Sequence, residues 1–282
     1  MNLSYEASVS LLRNMPEHAE LIKLSYLDEN NLDAAVRFSK SQEFAEVLRL
    51  LDLDKSIKPI KILDLGCGNG IASYSFANLG YEVTSVDPDL SSTVGLKATE
   101  KLSREIEFTG SIFTVESFAE SLPFKDETFD IVYTRQCLHH FCDLSQGLVE
   151  CQRVLKPHGK LLSTREHVVS DDKQLTEFLE NHILHNLHGG EKAYTLDQYT
   201  EALQKANFRK LKIIGPFDSV INYFPASEAD IDKQIYRAFS SKLRNPIASA
   251  LMMFPLAKIL YRKRMSRRCN FPGRLYSFYC VK

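Results

Sequence analysis

The sequence has little of what marks several common protein classes. Its 282 residues carry a formal net charge of −1, so no global basic field for nucleic acid exists. No apolar run is long enough to cross a bilayer, and residues 1–17 have neither the basic start nor the apolar stretch of a signal peptide. The six cysteines include no CxxC pair, which favours reduced thiols over disulfides or a zinc site. We therefore expect a cytoplasmic protein that does not act on nucleic acid.

Alternating helix and strand patterns predict one main α/β domain. Residues 1–57 read as helices and are expected to form an N-terminal cap, and 58–282 form the main domain. A long connection at 222–274 is expected to be a helical insertion before the last strand. Helices between strands imply βαβ units and a mainly parallel sheet. Seven strands are predicted, at 59–65, 81–87, 112–115, 129–133, 159–164, 209–214 and 275–281.

The strongest chemical signal is ILDLGCGNG at residues 62–70. A strand carries the acid Asp64 near its end, and Gly66, Gly68 and Gly70 then alternate before a helix. Glycines let the backbone turn sharply near a ligand, and the helix N-terminus presents free N–H groups. Asp87 ends the next strand, 21 residues after Gly66, where a carboxylate can accept both hydroxyls of a ribose.

A dinucleotide is the alternative ligand for this layout. Its fingerprint requires a glycine three residues after Gly68, and that position is Ile71. A pyrophosphate would also be repelled by Asp64, which suits the cationic end of a ligand instead. The pattern therefore disfavours NAD.

These motifs resemble those of the Rossmann-like, class I S-adenosylmethionine-dependent methyltransferases. AESLPF at 119–124, FDIVYTRQCLHHF at 129–141 and RVLKPHGKLL at 153–162 follow in the family's order. The resemblance is close over 58–170 and looser over 195–217 and 275–282. It implies a seven-stranded, mostly parallel sheet with helices on both faces, S-adenosyl-L-methionine as cofactor, and methyl transfer.

The same resemblance implies cofactor contacts residue by residue. The methionine part is expected near Asp64 and the glycines, the ribose at Asp87, and the adenine near 118–120. Phe118 stands where the family often has an acid, so we expect adenine to stack on this ring. The expected cofactor contacts are Asp64, Gly66, Cys67, Gly68, Gly70, Asp87, Pro88, Phe118, Ala119, Glu120, Arg135 and Gln136.

Ionisable residues near the ends of the fourth and fifth strands are the candidates for chemistry, because active sites of open α/β sheets lie beyond the carboxyl ends of strands. A hydroxyl acceptor needs a base to remove its proton. The expected catalytic residues are His167, Glu166 and His140. Of these, His167 or Glu166 would be the base, directly after the fifth strand, and a solvated turn with an internal salt bridge is the alternative.

Four further residues are expected to contact the substrate, namely His139, Arg165, His185 and Tyr194. Arg165 would hold an anionic group of the acceptor. His182, His185 and His188 recur at a spacing of three, which predicts one broad helix face. Helical metal pairs more often use a four-residue step, and no acid completes the set, so we expect no metal. A pocket lid and plain packing are the two alternatives for these histidines.

An apolar segment with a basic end occupies residues 246–268. Pro255 interrupts it, so it is too short and too broken to span a membrane. The composition allows three interpretations: contact with an anionic membrane surface, a substrate lid whose arginines hold an anion, and a packed helix with a solvated basic end.

The sequence thus predicts a methyltransferase for a small-molecule acceptor, at a hydroxyl oxygen of a sugar, a lipid-linked intermediate or a secondary metabolite. One alternative is a cofactor-binding subunit without turnover, and another is a lipid methyltransferase at the membrane surface. A nucleic-acid enzyme is disfavoured because the turn after the fourth strand reads Thr134-Arg135-Gln136-Cys137, unlike the Asn/Asp-Pro-Pro-aromatic turn of base-amine methyltransferases. The oligomeric state is not predicted.

Overall fold

A computed structural model describes residues 3–53 and 60–282 of the chain. The predicted boundary at 57/58 and the predicted strand start at Pro59 lie outside these residues. Side chains of Ser4, Asn30 and Ser41 accept first-turn N–H groups and fix three helix starts. The helices before the first strand are α1 (Tyr5–Arg13), α2 (Ala19–Leu24), α3 (Asn31–Ser39) and α4 (Gln42–Leu51).

Eight strands of the described residues form one sheet in the order β3-β2-β1-β4-β5-β8-β7, and β6 pairs with the end of β5. Only β8 is antiparallel to its neighbours β5 and β7 among the described pairs. The predicted mostly parallel α/β fold is confirmed, and the two-residue β6 is an addition. The strands are β1 (Lys61–Leu65), β2 (Glu82–Val86), β3 (Ser111–Val115), β4 (Phe129–Arg135), β5 (Leu155–Val169), β6 (Tyr194–Thr195), β7 (Lys210–Ile214) and β8 (Arg274–Val281).

Helices cover both faces of the sheet and fill the insertion predicted at 222–274. Thr195 begins α10 with a capping box to Gln198. Every helix within the described residues is too short or too polar to cross a bilayer. The helices after β1 are α5 (Ile71–Asn78), α6 (Leu96–Glu105), α7 (Leu144–Val154), α8 (Asp172–Asn181), α9 (Ile183–His188), α10 (Leu196–Lys205), α11 (Val220–Tyr223), α12 (Glu228–Ser240), α13 (Asn245–Met252) and α14 (Pro255–Arg268).

Two hydrophobic clusters lie on the two faces of the sheet, because successive strand residues point to opposite sides. Ile62 joins one cluster with Phe44 of α4 and Phe76 of α5. Leu63 joins the other with Leu148 of α7 and with residues of α10. Each fully buried side chain of this size stabilises the fold by about 1.5–3 kcal/mol. The helices α3 and α4 therefore share a core with the central strands.

Strand β5 is longer than predicted and corrects the expected position of Arg165, Glu166 and His167. The prediction ends the strand at residue 164, whereas β5 continues to Val169 alongside β8. The pairing shifts between Ser163 and Glu166, and Arg165 has a φ of 61° at this irregularity. The three residues therefore lie inside a strand: β8 pairs with the backbone of Glu166 and His167, and Arg165 occupies the irregularity before them.

The predicted common helix face of His182, His185 and His188 is wrong. The chain breaks at His182, which ends α8 and caps α9 with φ −88° and ψ 107°. Its Nδ1 accepts the backbone N–H of His185 at 3.3 Å. A histidine that satisfies a helix start in this way cannot be read from spacing alone.

Candidate active site

The glycine loop between β1 and α5 is fixed to the end of β2. Backbone N–H groups of Gly66 and Cys67 both donate to the carbonyl of Val86, at 2.8 and 3.1 Å. Gly66 has a φ of +70°, and a Cβ there would lie 2.0 Å from Sγ of Cys137. A residue with a side chain is therefore excluded twice, by the backbone conformation and by space. The loop touches the turn after β4 at this point.

The Asp87 carboxylate organises the same loop. Its Oδ2 accepts the N–H of Gly68 at 2.8 Å, and its Oδ1 accepts the N–H of Asp89 at 2.9 Å. Burial raises the pKa of Asp87 above its usual value. A carboxylate offers about four acceptor positions, so two remain for a ligand. The residue can bind ribose hydroxyls while it holds the loop.

Asp64 lies at the base of the loop and is buried. It accepts the hydroxyl of Ser73 at 2.5 Å, and Ser73 also contacts Ser85. Burial raises the pKa of Asp64 to about 7. A positive ligand group beside this carboxylate would favour its ionised form.

The residues expected at adenine lie past the carboxyl ends of β2 and β3. Pro88 is exposed, and the ring of Phe118 is 59% exposed beside the buried Ala119. Glu120 accepts the N–H of Asp143 at 3.0 Å. An aromatic face so open to solvent suits stacking with a base, so the adenine contact stays a prediction for this surface.

A cap helix fixes the start of the β4 turn, which we define as residues 136–141. Nε of Arg135 lies 2.7 Å from Oε1 of Glu43, a fully buried residue of α4. The Arg135 guanidinium also donates to Oε1 of Gln136 at 3.0 Å. Gln136 has a φ of 50°, and its N–H donates to Thr164 of β5. Arg135 therefore orients Gln136 beside the loop.

Glu166 lies under the β4 turn and holds it in place. Its Oε1 accepts the N–H groups of Cys137 and Leu138, each at 3.1 Å, and the hydroxyl of Ser163 at 2.9 Å. Its Oε2 lies 2.7 Å from Nδ1 of His139. Burial alone would raise the pKa of Glu166, but these hydrogen bonds outweigh it and hold the pKa below its usual value. Glu166 is thus a buried anion fully used by its neighbours.

Imidazole rings gather around this turn. The ring of His139 lies 4.2 Å from that of His140 and 5.1 Å from that of His167, between ring centroids. The ring of His167 also contacts that of His182 at 6.0 Å. His139 is buried, whereas the side chain of His140 is 46% exposed. The structure therefore unites the predicted histidines of β4 and β5.

His167 has a defined tautomer. Its Nδ1 lies 3.1 Å from the carbonyl of Gly273, which only accepts, so Nδ1 carries the proton and Nε2 carries the lone pair. Burial and the neighbouring His139 lower the pKa of His167 to about 3. The ring is neutral at physiological pH.

The other residues expected at the substrate lie apart from the imidazoles. The guanidinium of Arg165 donates to the carbonyls of Ile221 and Phe224, each at 3.1 Å, and lies 4.0 Å from Glu43. Tyr194 packs against Tyr199. These contacts place both residues in the packing around the site.

Three site residues escaped the sequence analysis. Glu191 approaches His139 and His140, and its only sequence signal is the pair of glycines before it. Tyr5 is partly buried, its ring contacts that of His188 at 5.8 Å between centroids, and its pKa is raised by burial and by Glu191, Asp89 and Asp87. This cap residue is therefore near charged groups of both the glycine loop and the histidine cluster. The third is Glu43, whose pairing with Arg135 requires two distant segments to meet.

The comparisons with known proteins agree with this geometry. Residues 63–163 match a family model described as a methyltransferase domain. Residues 63–163 therefore form a methyltransferase domain. The predicted family, fold class and S-adenosylmethionine cofactor of the methyltransferase domain are thereby confirmed.

Several relatives share this methyltransferase domain. The uncharacterized methyltransferase YcgJ of Bacillus subtilis is 34% identical over 125 residues, which are 44% of this chain and 46% of the relative. The ubiquinone biosynthesis O-methyltransferase of Pseudomonas entomophila is 29% identical over 146 residues, 51% of this chain and 61% of the relative. The chain spans about half the length of the curated relatives it matches.

A solved structure shows the same fold. The phosphoethanolamine N-methyltransferase 2 of Haemonchus contortus, in complex with S-adenosylhomocysteine, superposes with a TM-score of 0.56 at 17% identity. The match covers 99% of this chain and 60% of that protein. At this identity the likeness concerns the fold of the methyltransferase domain and leaves the acceptor open.

Proposed function

We propose that this chain transfers the methyl group of S-adenosylmethionine to a hydroxyl oxygen of a small-molecule acceptor. One observation carries the proposal: the turn that bears His139 contacts the glycine loop, through Cys137 against Gly66, and brings His139 to His167. A cofactor loop and a group of imidazoles therefore share one edge of the sheet. Open α/β sheets bind their ligands at this edge.

Cap helices cover that edge. Val9 and Leu12 of α1 are buried with Val94, which follows β2, and Leu184 and Leu187 of α9 pack against them. Oε1 of Glu6 accepts the N–H of Thr93 at 2.8 Å, which ties α1 to the segment after Asp87. Because the cap covers the edge where the acceptor would bind, it favours a small acceptor. A covered site also excludes water from the reaction.

We assign the cofactor to Asp87, the glycine loop and Phe118. S-adenosylmethionine, when bound, supplies a methyl carbon on a sulfonium: the acceptor oxygen bonds to that carbon as the carbon–sulfur bond breaks, its electron pair stays on sulfur, and the hydroxyl proton is released. Asp64 would lie near the positive end of the ligand. The free N–H groups at the start of α5 would face the carboxylate of the ligand's methionine part.

We assign the base to His167 and a positioning role to Glu166. Nε2 of His167 has the free lone pair. Although its low pKa makes it a weak base, it can take the acceptor's proton as the oxygen bonds to the methyl group, because the hydroxyl is then strongly acidic. Glu166 is already filled by hydrogen bonds from Cys137, Leu138, Ser163 and His139, which leaves it unsuited to receive another proton. His139 and His140 would contact the acceptor from the β4 turn.

Transfer of a labelled methyl group tests the proposal. The chain would be incubated with methyl-labelled cofactor and a panel of phenols, sugars, lipid-linked alcohols and amines, phosphoethanolamine included. We expect transfer to a hydroxyl compound, and the relative named for ubiquinone O-methylation supports the presence of phenols in the panel. Transfer only to amines would contradict the oxygen acceptor. Cofactor binding without any transfer would favour a subunit that binds but does not turn over.

With an acceptor in hand, His167→Ala should keep cofactor affinity and lower turnover by about 10²–10⁴-fold. His158→Ala is the matched control, since His158 is an exposed histidine on the same strand. Full turnover of His167→Ala would remove this residue as the base.

We further propose that the chain works at an anionic membrane surface, in the cytoplasm. Large apolar side chains around the start of α14 are exposed: Met253 82%, Phe254 61%, Leu256 66%, Ile259 49% and Leu260 58%. Residues 263, 264, 267 and 268 follow as exposed lysine and arginines. An apolar face beside a basic end suits the interface of an anionic bilayer.

Arg262 forms ion pairs within the protein, unlike the exposed basic residues that follow it. Its guanidinium donates to Glu228 at 2.9 Å and to Asp232 at 2.8 Å, both on α12. This pairing fixes α14 against α12 and leaves the apolar side of α14 outward. The membrane interpretation is therefore favoured over a substrate lid held by Arg262.

A further inference from the structure

We infer that His139, His140 and Glu191 form a binding site for one divalent transition-metal ion of the Zn²⁺ type. The ion would face the acceptor pocket and hold an oxygen or nitrogen of the acceptor. The metal site stands on its own geometry, and only the acceptor's place on the ion rests on the proposed function. The sequence predicts no metal, because the histidines at 182, 185 and 188 lack an acid that completes the set. The approach of Glu191 to His139 and His140 is visible only in the structure.

The three side chains converge on one point. Nε2 of His139 and Nε2 of His140 each lie 3.8 Å from Oε2 of Glu191. One ligand atom from each residue lies within 4.8 Å of the other two. Both 3.8 Å separations exceed a hydrogen bond. Ligand atoms about 2.1 Å from one tetrahedral ion are about 3.4 Å apart. The two separations from Glu191 must shorten by about 0.4 Å, and the two imidazole nitrogens, which lie within 4.8 Å of each other, must also approach.

A supporting carboxylate orients the first ligand. Glu166 lies 2.7 Å from Nδ1 of His139, and the same carboxylate accepts N–H groups of the β4 turn. The Nδ1 proton therefore points to Glu166, which leaves Nε2 as the ligand atom toward Glu191. Histidines that ligate metals commonly donate their other N–H to a carboxylate in this way.

Glu191 has a charge that needs a partner. Its side chain is only 8% exposed, and the cationic neighbour Lys192 reaches instead to the carbonyl of Phe141 at 3.2 Å. Gly189 and Gly190, both at a φ of 81°, turn the chain back after α9 and bring Glu191 to the histidines. A carboxylate so little solvated requires compensation, and an ion between it and two imidazoles supplies it.

The ligand types select the ion. Two imidazole nitrogens with one carboxylate suit Zn²⁺ and similar first-row ions, whereas Mg²⁺ and Ca²⁺ prefer oxygen ligands. Three protein ligands leave a coordination position open, as in catalytic zinc sites. The open side is expected beside His140, whose side chain is 46% exposed. Cys137 of the same turn contacts Gly66, so the site borders the cofactor loop.

Titration with Co²⁺ and Zn²⁺ tests the site. The chain, without a histidine tag and stripped with a chelator, would be followed by calorimetry and by the visible absorption of bound Co²⁺. We expect one ion per chain, and affinity at least tenfold lower in Glu191→Gln and in His140→Ala. His158→Ala, which removes an exposed histidine elsewhere on β5, should bind as the unchanged chain does.

Three results would overturn the site. These are no binding of Co²⁺ or Zn²⁺ by the unchanged chain, equal binding by both variants, and preference for Mg²⁺. Thermal unfolding of each variant verifies that the fold is kept. S-adenosylhomocysteine titrated into the same preparations separates the two proposals. If the unchanged chain binds S-adenosylhomocysteine but neither Co²⁺ nor Zn²⁺, only the metal site is removed; if it does not bind S-adenosylhomocysteine, the proposed function is removed.

Discussion

Glu166 and His139 are joined by a contact of 2.7 Å between Oε2 and Nδ1, deep between β5 and the β4 turn. The same carboxylate accepts the N–H of His139 itself at 3.3 Å. One buried charge therefore determines both the path of the turn and the direction of its histidine. Because Cys137 of that turn contacts Gly66, the geometry of the cofactor loop depends on the same residue.

Removal of the Glu166 carboxylate should be costly. Glu166→Ala leaves buried N–H groups and His139 without their acceptor, and we expect a loss of about 3–5 kcal/mol in the free energy of unfolding. Glu201→Ala, at an exposed position of α10, should change it by less than about 0.5 kcal/mol. Denaturant unfolding of both variants measures the difference. A loss below about 1 kcal/mol for Glu166→Ala would show that the carboxylate does not hold the turn.

Gly66→Ala should weaken cofactor binding through the contact with Cys137. The new Cβ would lie 2.0 Å from the Cys137 sulfur, so the loop must move. We expect at least about a tenfold loss of S-adenosylhomocysteine affinity, which is about 1.4 kcal/mol. Gly80→Ala has the same left-handed backbone strain, but its Cβ would meet Thr109 only at 3.5 Å.

The Gly80→Ala control should therefore lose stability and keep affinity. Partial rescue of Gly66→Ala by the added change Cys137→Ala would locate the cause in that one contact. Equal affinity of Gly66→Ala and the unchanged chain would contradict the close packing of loop and turn.

Binding of S-adenosylmethionine should depend on pH through Asp64. Burial raises the pKa of Asp64 to about 7, so part of the free protein carries the neutral acid near neutrality. A cationic ligand end favours the carboxylate, so affinity should rise with pH between about 6 and 8, and binding should release protons. Calorimetry in buffers of different ionisation enthalpy measures this release.

Two variants test whether the pH dependence of binding arises from Asp64. Asp64→Asn should remove both the pH dependence and the proton release. Ser73→Ala removes the hydrogen bond that lowers the Asp64 pKa, so the affinity profile should move to higher pH. If the affinity of the unchanged chain is constant over this pH range, the Asp64 carboxylate does not act on the cationic end of the ligand.

Co-sedimentation with vesicles tests the proposed contact of the chain with an anionic membrane. The chain should co-sediment with vesicles of phosphatidylglycerol and phosphatidylcholine at low salt, and less of it should do so at high salt. Phe254→Ser together with Leu256→Ser should reduce the partition by about 10²-fold or more, given about 1.5–3 kcal/mol for each buried side chain. Phe113→Ser changes a ring that is 56% exposed on β3 and should leave binding unaltered. A chain that stays in solution with anionic vesicles at low salt would refute the membrane contact.

The sequence predicts local features of the site well. The loop from Asp64 to Gly70 is readable because a buried strand, spaced glycines and a helix start lie within nine residues, 62–70. Asp87 follows from the same logic, since parallel strands end at one edge. The Thr195 cap is a local pattern also. The apolar segment with a basic end at 246–268 is readable in composition, although only the structure shows which of its side chains are exposed.

Tertiary contacts explain what the sequence does not reveal. Arg165, Glu166 and His167 look like a polar turn, yet β8 pairs with the backbone of Glu166 and His167 and extends β5. His182 interrupts a helix that spacing alone would continue. Glu191 meets His139 only because the chain returns after α9. Each of these outcomes depends on residues far apart in the chain.

Calorimetric titration with S-adenosylhomocysteine tests the central claim most directly, on the unchanged chain, Asp87→Asn and Asp89→Asn. We predict binding by the unchanged chain and by Asp89→Asn, whose carboxylate accepts Ser91 rather than the glycine loop. We predict a loss of about 10²-fold in Asp87→Asn, because hydrogen bonds to a charged acceptor contribute about 1.5–3 kcal/mol each. NAD should not bind. Binding of NAD in place of S-adenosylhomocysteine, or full affinity in Asp87→Asn, would contradict the account.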